Sequence, residues 1–287
     1  MTAALPRPGP ASGSGPGSDS GAGSGPGPDS GAGLVAASWA VARRGVLRTV
    51  RTPQIIVMGL VQSVAFLLIF RYVFGGAIGG ATRGHGLSYV DYMIPGLLTV
   101  SGLFAGMSAA VAVADDLGSG YLDRLRSLPM PRLAVIAGQV AADTARVALI
   151  LAVSAGLSFA VGFRVHASWG SALLGFGLCL LFGFAFVWVF VALGLLTANP
   201  QAAQGVGFLA LPLSFVSGAY VPVDTMPGWL RGFAEHQPVT AMMDAVRTLT
   251  QGDVLDGGSH DVAVALAWTA GIITVSAAAA VTRFRQT

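Results

Sequence analysis

From Leu34 onward the chain alternates long apolar runs with short polar stretches, whereas the residues before it hold almost nothing to bury. Six runs are each about long enough for the ~30 Å hydrocarbon core of a bilayer: 54–74, 91–114, 137–162, 171–197, 205–222 and 262–282. The pattern predicts an all-α membrane protein with six transmembrane helices. The fourth run is rich in large rings, at Phe182, Phe184, Phe186, Trp188 and Phe190, and should be buried in lipid or in the bundle. The fifth is the shortest and carries Pro212 and Gly218. Breaks at membrane depth free backbone groups that protein or a water-lined cavity must satisfy. That run, feeding the outer stretch 223–261, is therefore expected to be re-entrant and to lie near an outer gate; a bent but ordinary span is the alternative.

Residues 1–33 are mostly Gly, Pro, Ser and Ala, and 14–23 repeats as 24–33 with one difference, Ser18 against Pro28. Such a segment cannot offset its ordering entropy and is expected to be a disordered tail, not a signal peptide. The domain division is thus 1–33 and 34–287. Within 34–50, Arg44, Arg48 and Arg51 recur at helical spacing opposite Trp39, Val46 and Val50. This predicts an amphipathic helix in the headgroup layer, ended by Pro53; a plain basic flank to the next span is the other possibility. With the amino terminus inside, the inner flanks hold Arg43, Arg44, Arg48, Arg51, Arg124, Arg126, Arg132, Arg283 and Arg285. The outer loops hold Arg83, Arg164, Arg231 and Arg247. The excess predicts both termini cytoplasmic, and it puts His85, His166, His236 and His260 in outer loops.

Composition narrows the chemistry. Hydrophobic residues make up 54% of the chain and charged ones 10%, with mean hydropathy +0.71, so the bilayer is the natural solvent. The pI of about 9.5 does not imply nucleic acid, because the basic residues do not cluster on a soluble face. Every basic residue is arginine, and no lysine occurs. A Walker A loop, a Schiff-base site and a Ser-Lys nucleophile all need lysine. The single cysteine, Cys179 in an apolar run, rules out an intrachain disulfide or a multi-thiolate metal site. No HExxH, GxSxG or EF-hand pattern is present. The chain is expected to be no enzyme and to hold no metal or cofactor itself.

Two stretches concentrate the remaining information. Between the second and third runs, Asp115, Asp116 and Asp123 and then Arg124, Arg126 and Arg132 surround Leu122, Leu125 and Leu128. A Gly-Ser-Gly break precedes this segment and Pro129 stops it, which predicts a short amphipathic helix stabilised by docking on a partner; a solvated loop is equally compatible. The second stretch contains Pro212, Phe215, Ser217, Gly218, Pro222, Met226, Pro227 and Trp229, then Gln237-Pro238, Asp244 and Arg247. Separately, Asp143 and Arg146 stand three apart in the third run, either as an inner gate or as a structural pair near the inner interface.

In order and spacing these two stretches resemble the ABC type-2 permease family, particularly the daunorubicin/doxorubicin-resistance-like transport permeases of actinobacteria. The residues carrying the likeness are Asp115, Asp116, Gly118, Arg124, Leu125 and Pro129, then Ser217-Gly218, Pro222, Met226-Pro227, Trp229-Leu230, Gln237-Pro238, Asp244 and Arg247. Gln237 stands where Asn is commoner, and the 115–116 pair where Glu is frequent. The resemblance implies a permease subunit with two permease halves, identical or paralogous, above two nucleotide-binding ATPase subunits that hold ATP and Mg. It implies that 116–128 is the coupling helix, that 34–50 is the elbow helix, and that 223–250 caps the exit. The cargo would be a hydrophobic or amphipathic drug, antibiotic or lipid leaving across the plasma membrane. The competing expectation is a proton-coupled secondary drug transporter, for which Asp143 is the candidate carboxylate.

Overall fold

The computed structural model describes residues 39, 42, 43, 45, 47, 53–76, 87–119, 132–220, 223–252 and 258–286. Among these residues all regular structure is helical. The elements are α1 (Pro53–Leu68, continued by a π-helical turn Ile69–Phe74), α2 (Tyr89–Ala105), α3 (Met107–Gly118), α4 (Arg132–Ala160) and α5 (Trp169–Thr197). They are followed by α6 (Pro200–Gly207), α7 (Ala210–Val216), a 3-10 turn (Val223–Thr225), α8 (Gly228–His236), α9 (Pro238–Gln251) and α10 (Gly258–Gln286). Four stretches are long and apolar enough to cross a membrane: Tyr89–Gly118, Ile136–Ala160, Trp169–Thr197 and Gly258–Phe284. A shorter apolar helix covers Val57–Val73.

Helix α5 is apolar on all sides, as a central helix must be, and it packs against α2, α3, α4, α9 and α10. Its rings divide by helical face. Phe182, Phe186 and Phe190, four apart, are buried in the core, while Phe184 and Trp188 are half-buried. Close approach of α3 to α5 depends on Gly194, where a Cβ would stand 2.5 Å from the Ala110 carbonyl.

Helix starts follow local chemistry. Ser88 caps α2 reciprocally with Asp91: its Oγ accepts from the Asp91 amide at 3.2 Å and donates to Asp91 Oδ2 at 2.6 Å. Ser168 caps α5, and Asn199 caps α6 with Pro200 in its first turn.

Two expected spans are interrupted. The second bends at Gly106, which separates α2 from α3. The expected 205–222 span is not one helix: it begins earlier, at the Asn199 cap, and breaks between Gly207 and Ala210. Pro212 has no N–H to return to Phe208, so the chain tightens there, with Leu211 N donating to Phe208 O. The remaining helices begin earlier than expected, since capping and polar first turns lie outside any apolar window, while α4 ends at Ala160, two residues short of 162.

Of the predicted elbow, Trp39, Ala42, Arg43, Gly45 and Leu47 are helical; Ala42 is buried, and Gly45 abuts Ala142 of α4. The 1–33 tail lies outside the described residues.

Candidate functional site

At one end of the bundle, backbone freed by the end of α7 is held by side chains from α2 and α9. Arg247 on α9 is 3% exposed. Its Nη2 donates to the Gly218 carbonyl at 2.6 Å and its Nε to the Tyr92 carbonyl at 3.0 Å, while the guanidinium lies 3.9 Å from the centre of the Tyr92 ring. Tyr92 Oη also donates to Gly218 O, at 3.4 Å, and Tyr89 Oη to Tyr220 O at 3.2 Å. Ser217 Oγ donates to Ser214 O at 2.6 Å. Gln237, with its amide turned to suit both partners, donates to Leu213 O at 3.3 Å and accepts from Ser217 N at 2.9 Å. Gly96 lets α2 lie directly on this turn, because a Cβ would come within 2.6 Å of Ala219 O.

Asp244 pairs with Arg247 Nη1 at 2.9 Å while keeping nearly half its side chain accessible. The protein around it still raises its carboxyl pKa above the ordinary value. Desolvation outweighs the attraction of Arg247, and Asp261 adds to the rise. Further out, Thr250 O accepts from His166 N and Ala167 N, both at 3.1 Å, so the α4–α5 loop closes the carboxyl end of α9. His166 Nδ1 meets Gln251 Oε1 at 2.7 Å, and Arg164 N donates to Asp91 Oδ1 at 2.9 Å. A ring stack ties in α1: Phe70 lies 4.0 Å from Tyr220 at 3°, with Phe66 and Phe215 beside it. Arg71 of α1 donates to Val161 O.

Nearer the other end, Asp143 and Arg146 form an ion pair at 2.7 Å, with side chains only 5% and 6% exposed. Gln139 Nε2 donates to Asp143 Oδ2 at 2.9 Å, and Arg146 Nη2 donates at 3.3 Å to Ala105 O, a carbonyl beside the Gly106 bend. Arg146 is the middle residue of α4. A half-open cavity of about 390 Å³ lies against this pair, between the amino-terminal helical residues, α1, α2, α3, α4 and α6. A smaller one adjoins it, sharing Gly59, Phe104, Ala105 and Ile150. Beside it Ser63 Oγ is 3.0 Å from Ser154 Oγ and 3.4 Å from Ser101 Oγ.

The sequence-predicted residues fare unevenly. Ser217 and Gly218 are buried at the centre of the cluster around Arg247. Pro212 and Phe215 lie on exposed faces of α7, Met226 is half-buried, Pro227 precedes α8, and Trp229 is 81% exposed. Asp116 is half-buried near the end of α3. Leu122, Asp123, Arg124, Leu125, Arg126, Leu128, Pro129 and Pro222 lie outside the described residues. Tyr89, Tyr92 and Gln139 complete the two clusters without having been singled out. Tyr89 and Tyr92 could have been found, since two tyrosines within one helical turn behind a Ser-x-x-Asp cap are available to reach a freed carbonyl. Among the described residues no group of three His, Cys, Asp or Glu side chains converges as a metal site.

Long apolar helices around an apolar central helix, with charged side chains turned inward, define a multi-pass membrane protein whose polar chemistry serves its own bent helices. The sequence model of the ABC-2 type transporter family matches residues 36–250, and the chain belongs to that family. It is 30% identical over 219 residues to the daunorubicin resistance ABC transporter permease protein DrrB1 of Streptomyces coeruleorubidus, covering 76% of this chain and 75% of the relative. It is 26% identical over 245 residues to the probable doxorubicin resistance ABC transporter permease protein DrrC of Mycobacterium tuberculosis, covering 85% and 86%. It is 27% identical over 219 residues to the inner membrane transport permease YadH of Escherichia coli K12, covering 69% and 77%. The chain is thus an ABC transporter permease, a multi-pass protein of the plasma membrane.

Proposed function

We propose that this chain is the membrane half of an ATP-driven exporter that carries hydrophobic or amphipathic compounds, drug-like or lipid-like, out of the cell. The observation that carries the reading is its similarity, over about three-quarters of both chains, to a daunorubicin resistance permease. ATP and Mg would bind to separate ATPase subunits, because a chain without lysine has no phosphate-holding Walker A loop. Two permease halves, alike or paralogous, would enclose the path, surrounded by lipid.

In this arrangement both termini are cytoplasmic and the chain crosses six times. The broken helix pair α6–α7 makes the fifth, re-entrant span, and α8–α9 lies at the outer face with Gln237 at its turn. The helix at 116–128 couples the permease to its ATPase, with Leu122, Leu125 and Leu128 in the partner's groove. Helices 34–50 and 223–250 serve as the elbow and the exit cap, and 1–33 is a solvated tail. A proton-coupled carrier is the weaker reading. Asp143, the carboxylate it would use, is engaged by Arg146 and Gln139.

Inside-out vesicles containing the chain and its ATPase test the reading. Uptake of a fluorescent amphiphile should require ATP and persist when an uncoupler collapses the proton gradient. Uptake that the uncoupler abolishes would establish the proton-coupled alternative instead.

A further inference from the structure

We infer that the small cavity between α1, α2 and α4 is a binding site for a neutral hydroxyl group, supplied by water or by the head of an alcohol-bearing amphiphile. Gln62 and Ser63 of α1 and Ser101 of α2 form its polar wall, and Leu97, Val100 and Ile150 are part of the apolar remainder. The cavity measures about 50 Å³. One water takes up roughly 10–15 Å³ of such space, so there is room for a few waters or for one small head group.

Counting hydrogen bonds shows why the site needs a ligand. Ser63 Oγ meets Ser154 Oγ and Ser101 Oγ, and neither of those hydroxyls has a second partner among the described residues. Three O–H protons therefore share two contacts, and one proton is left without an acceptor. Ser63 and Ser154 are buried and Ser101 is half-buried. The Gln62 carboxamide, on the same wall, also has no partner among the described residues. Ser63 and Ser101 both stand near the middle of their apolar helices, where hydrocarbon offers such groups nothing.

The same inventory sets the chemistry of the ligand. The surplus serine proton needs an acceptor, whereas the Gln62 carboxamide oxygen needs a donor. A hydroxyl is both at once, while a ketone or ether oxygen only accepts. Among the described residues no ionisable side chain lines the cavity, so a charged ligand would meet no counter-ion there. The group is thus neutral, and any apolar body attached to it would lie toward Leu97, Val100 and Ile150.

Thiol reactivity of the full-length chain in liposomes tests the site. Ser101→Cys puts a thiol on the cavity wall and keeps the contact of Ser63 with Ser154. Val61→Cys, on the exposed apolar face of α1 at a similar depth, is the reference, and the native chain with its buried Cys179 is the blank. The probe is methyl methanethiosulfonate, which is uncharged and enters both lipid and water, so its rate reports how far each thiol ionises. Ser101→Cys should react at least about tenfold faster than Val61→Cys, and adding Ser63→Ala with Gln62→Leu should remove the difference. Val100→Cys, also on the wall and breaking no side-chain hydrogen bond, decides the matter if Ser101→Cys does not reach the membrane. Decanol and decane, at matched content in the bilayer, separate the two sources of the hydroxyl. Slowing by decanol alone assigns the site to the head of an amphiphile, and slowing by neither assigns it to water. Equal rates in the wall and reference variants overturn the site, as does a rate unmoved by Ser63→Ala with Gln62→Leu, or equal slowing by decane. No ATP or ATPase takes part, so the result stands apart from the exporter reading and from the vesicle experiment.

Discussion

Arg247 joins three segments distant in sequence: α2 through Tyr92, the turn after α7 through Gly218, and its own helix through Asp244. Replacing it with methionine would keep an unbranched apolar stem and leave two buried carbonyls short of a donor. Hydrogen bonds to a charged group contribute about 1.5–3 kcal/mol each, so the two lost contacts should cost at least about 3 kcal/mol. Asp244→Asn should cost under about 1 kcal/mol, because that carboxylate is half-accessible and its charged form is already disfavoured by desolvation. Thermal unfolding of the two variants in nanodiscs should show a clear fall in Tm for Arg247→Met and almost none for Asp244→Asn. Equal Tm values would mean that the guanidinium does not hold the turn. The cluster around Arg247 was half legible in the sequence. Ser217-Gly218, Gln237, Asp244 and Arg247 stood out by type and spacing, and they do converge. The tyrosines that share the work stood out less, because a Tyr in an apolar helix carries no periodic signal of its own.

Among the elements, lengths and types were the readable part and bends were not. Apolar length announces a span, and the rings of 182–190 announced a buried helix. The Gly106 bend lies in a run of small apolar residues, where a glycine is as easily a packing contact as a break. The start of α6 was there to be read in Asn199-Pro200, a capping residue followed by a proline in the first turn, although it lies outside the apolar window. Nor does length say which face of α4 meets which neighbour. Arg146 stands at the midpoint of α4 and against the end of α2, a placement that its three-residue spacing from Asp143 does not reveal. Packing between elements makes its own prediction. Gly194→Val would push a side chain into the Ala110 carbonyl and part α3 from α5, at a cost of about 1–3 kcal/mol for overpacking. Gly177 has nothing within 4 Å of a built Cβ, so Gly177→Ala serves as its control. Membrane abundance and Tm should fall for the first and hold for the second; equal falls would show that the α3–α5 contact is not tight.

For the molecule as a whole, the coupling reading makes the sharpest demand. Replacing Leu125 and Arg126 together by aspartate should abolish both transport and copurification of the ATPase, with membrane abundance unchanged. Normal transport in that double variant would remove 116–128 from its proposed role. On that proposal the segment's reason to fold would lie in a groove on another polypeptide, which a single chain does not display.

The two buried arginines bear on how the protein is made. An arginine or aspartate at the middle of a helix costs about 2.5–3.5 kcal/mol to insert into a bilayer. Arg146 binds Asp143 and Ala105, and Arg247 binds Asp244, Tyr92 and Gly218. Every one of those partners precedes its arginine in the chain. Arg146, at the middle of the membrane-length α4, meets that cost, and the groups that neutralise and receive it have been synthesised before it. The order of residues along the chain is thus also a workable order of insertion, with each arginine docking backward onto helices that arrived before it.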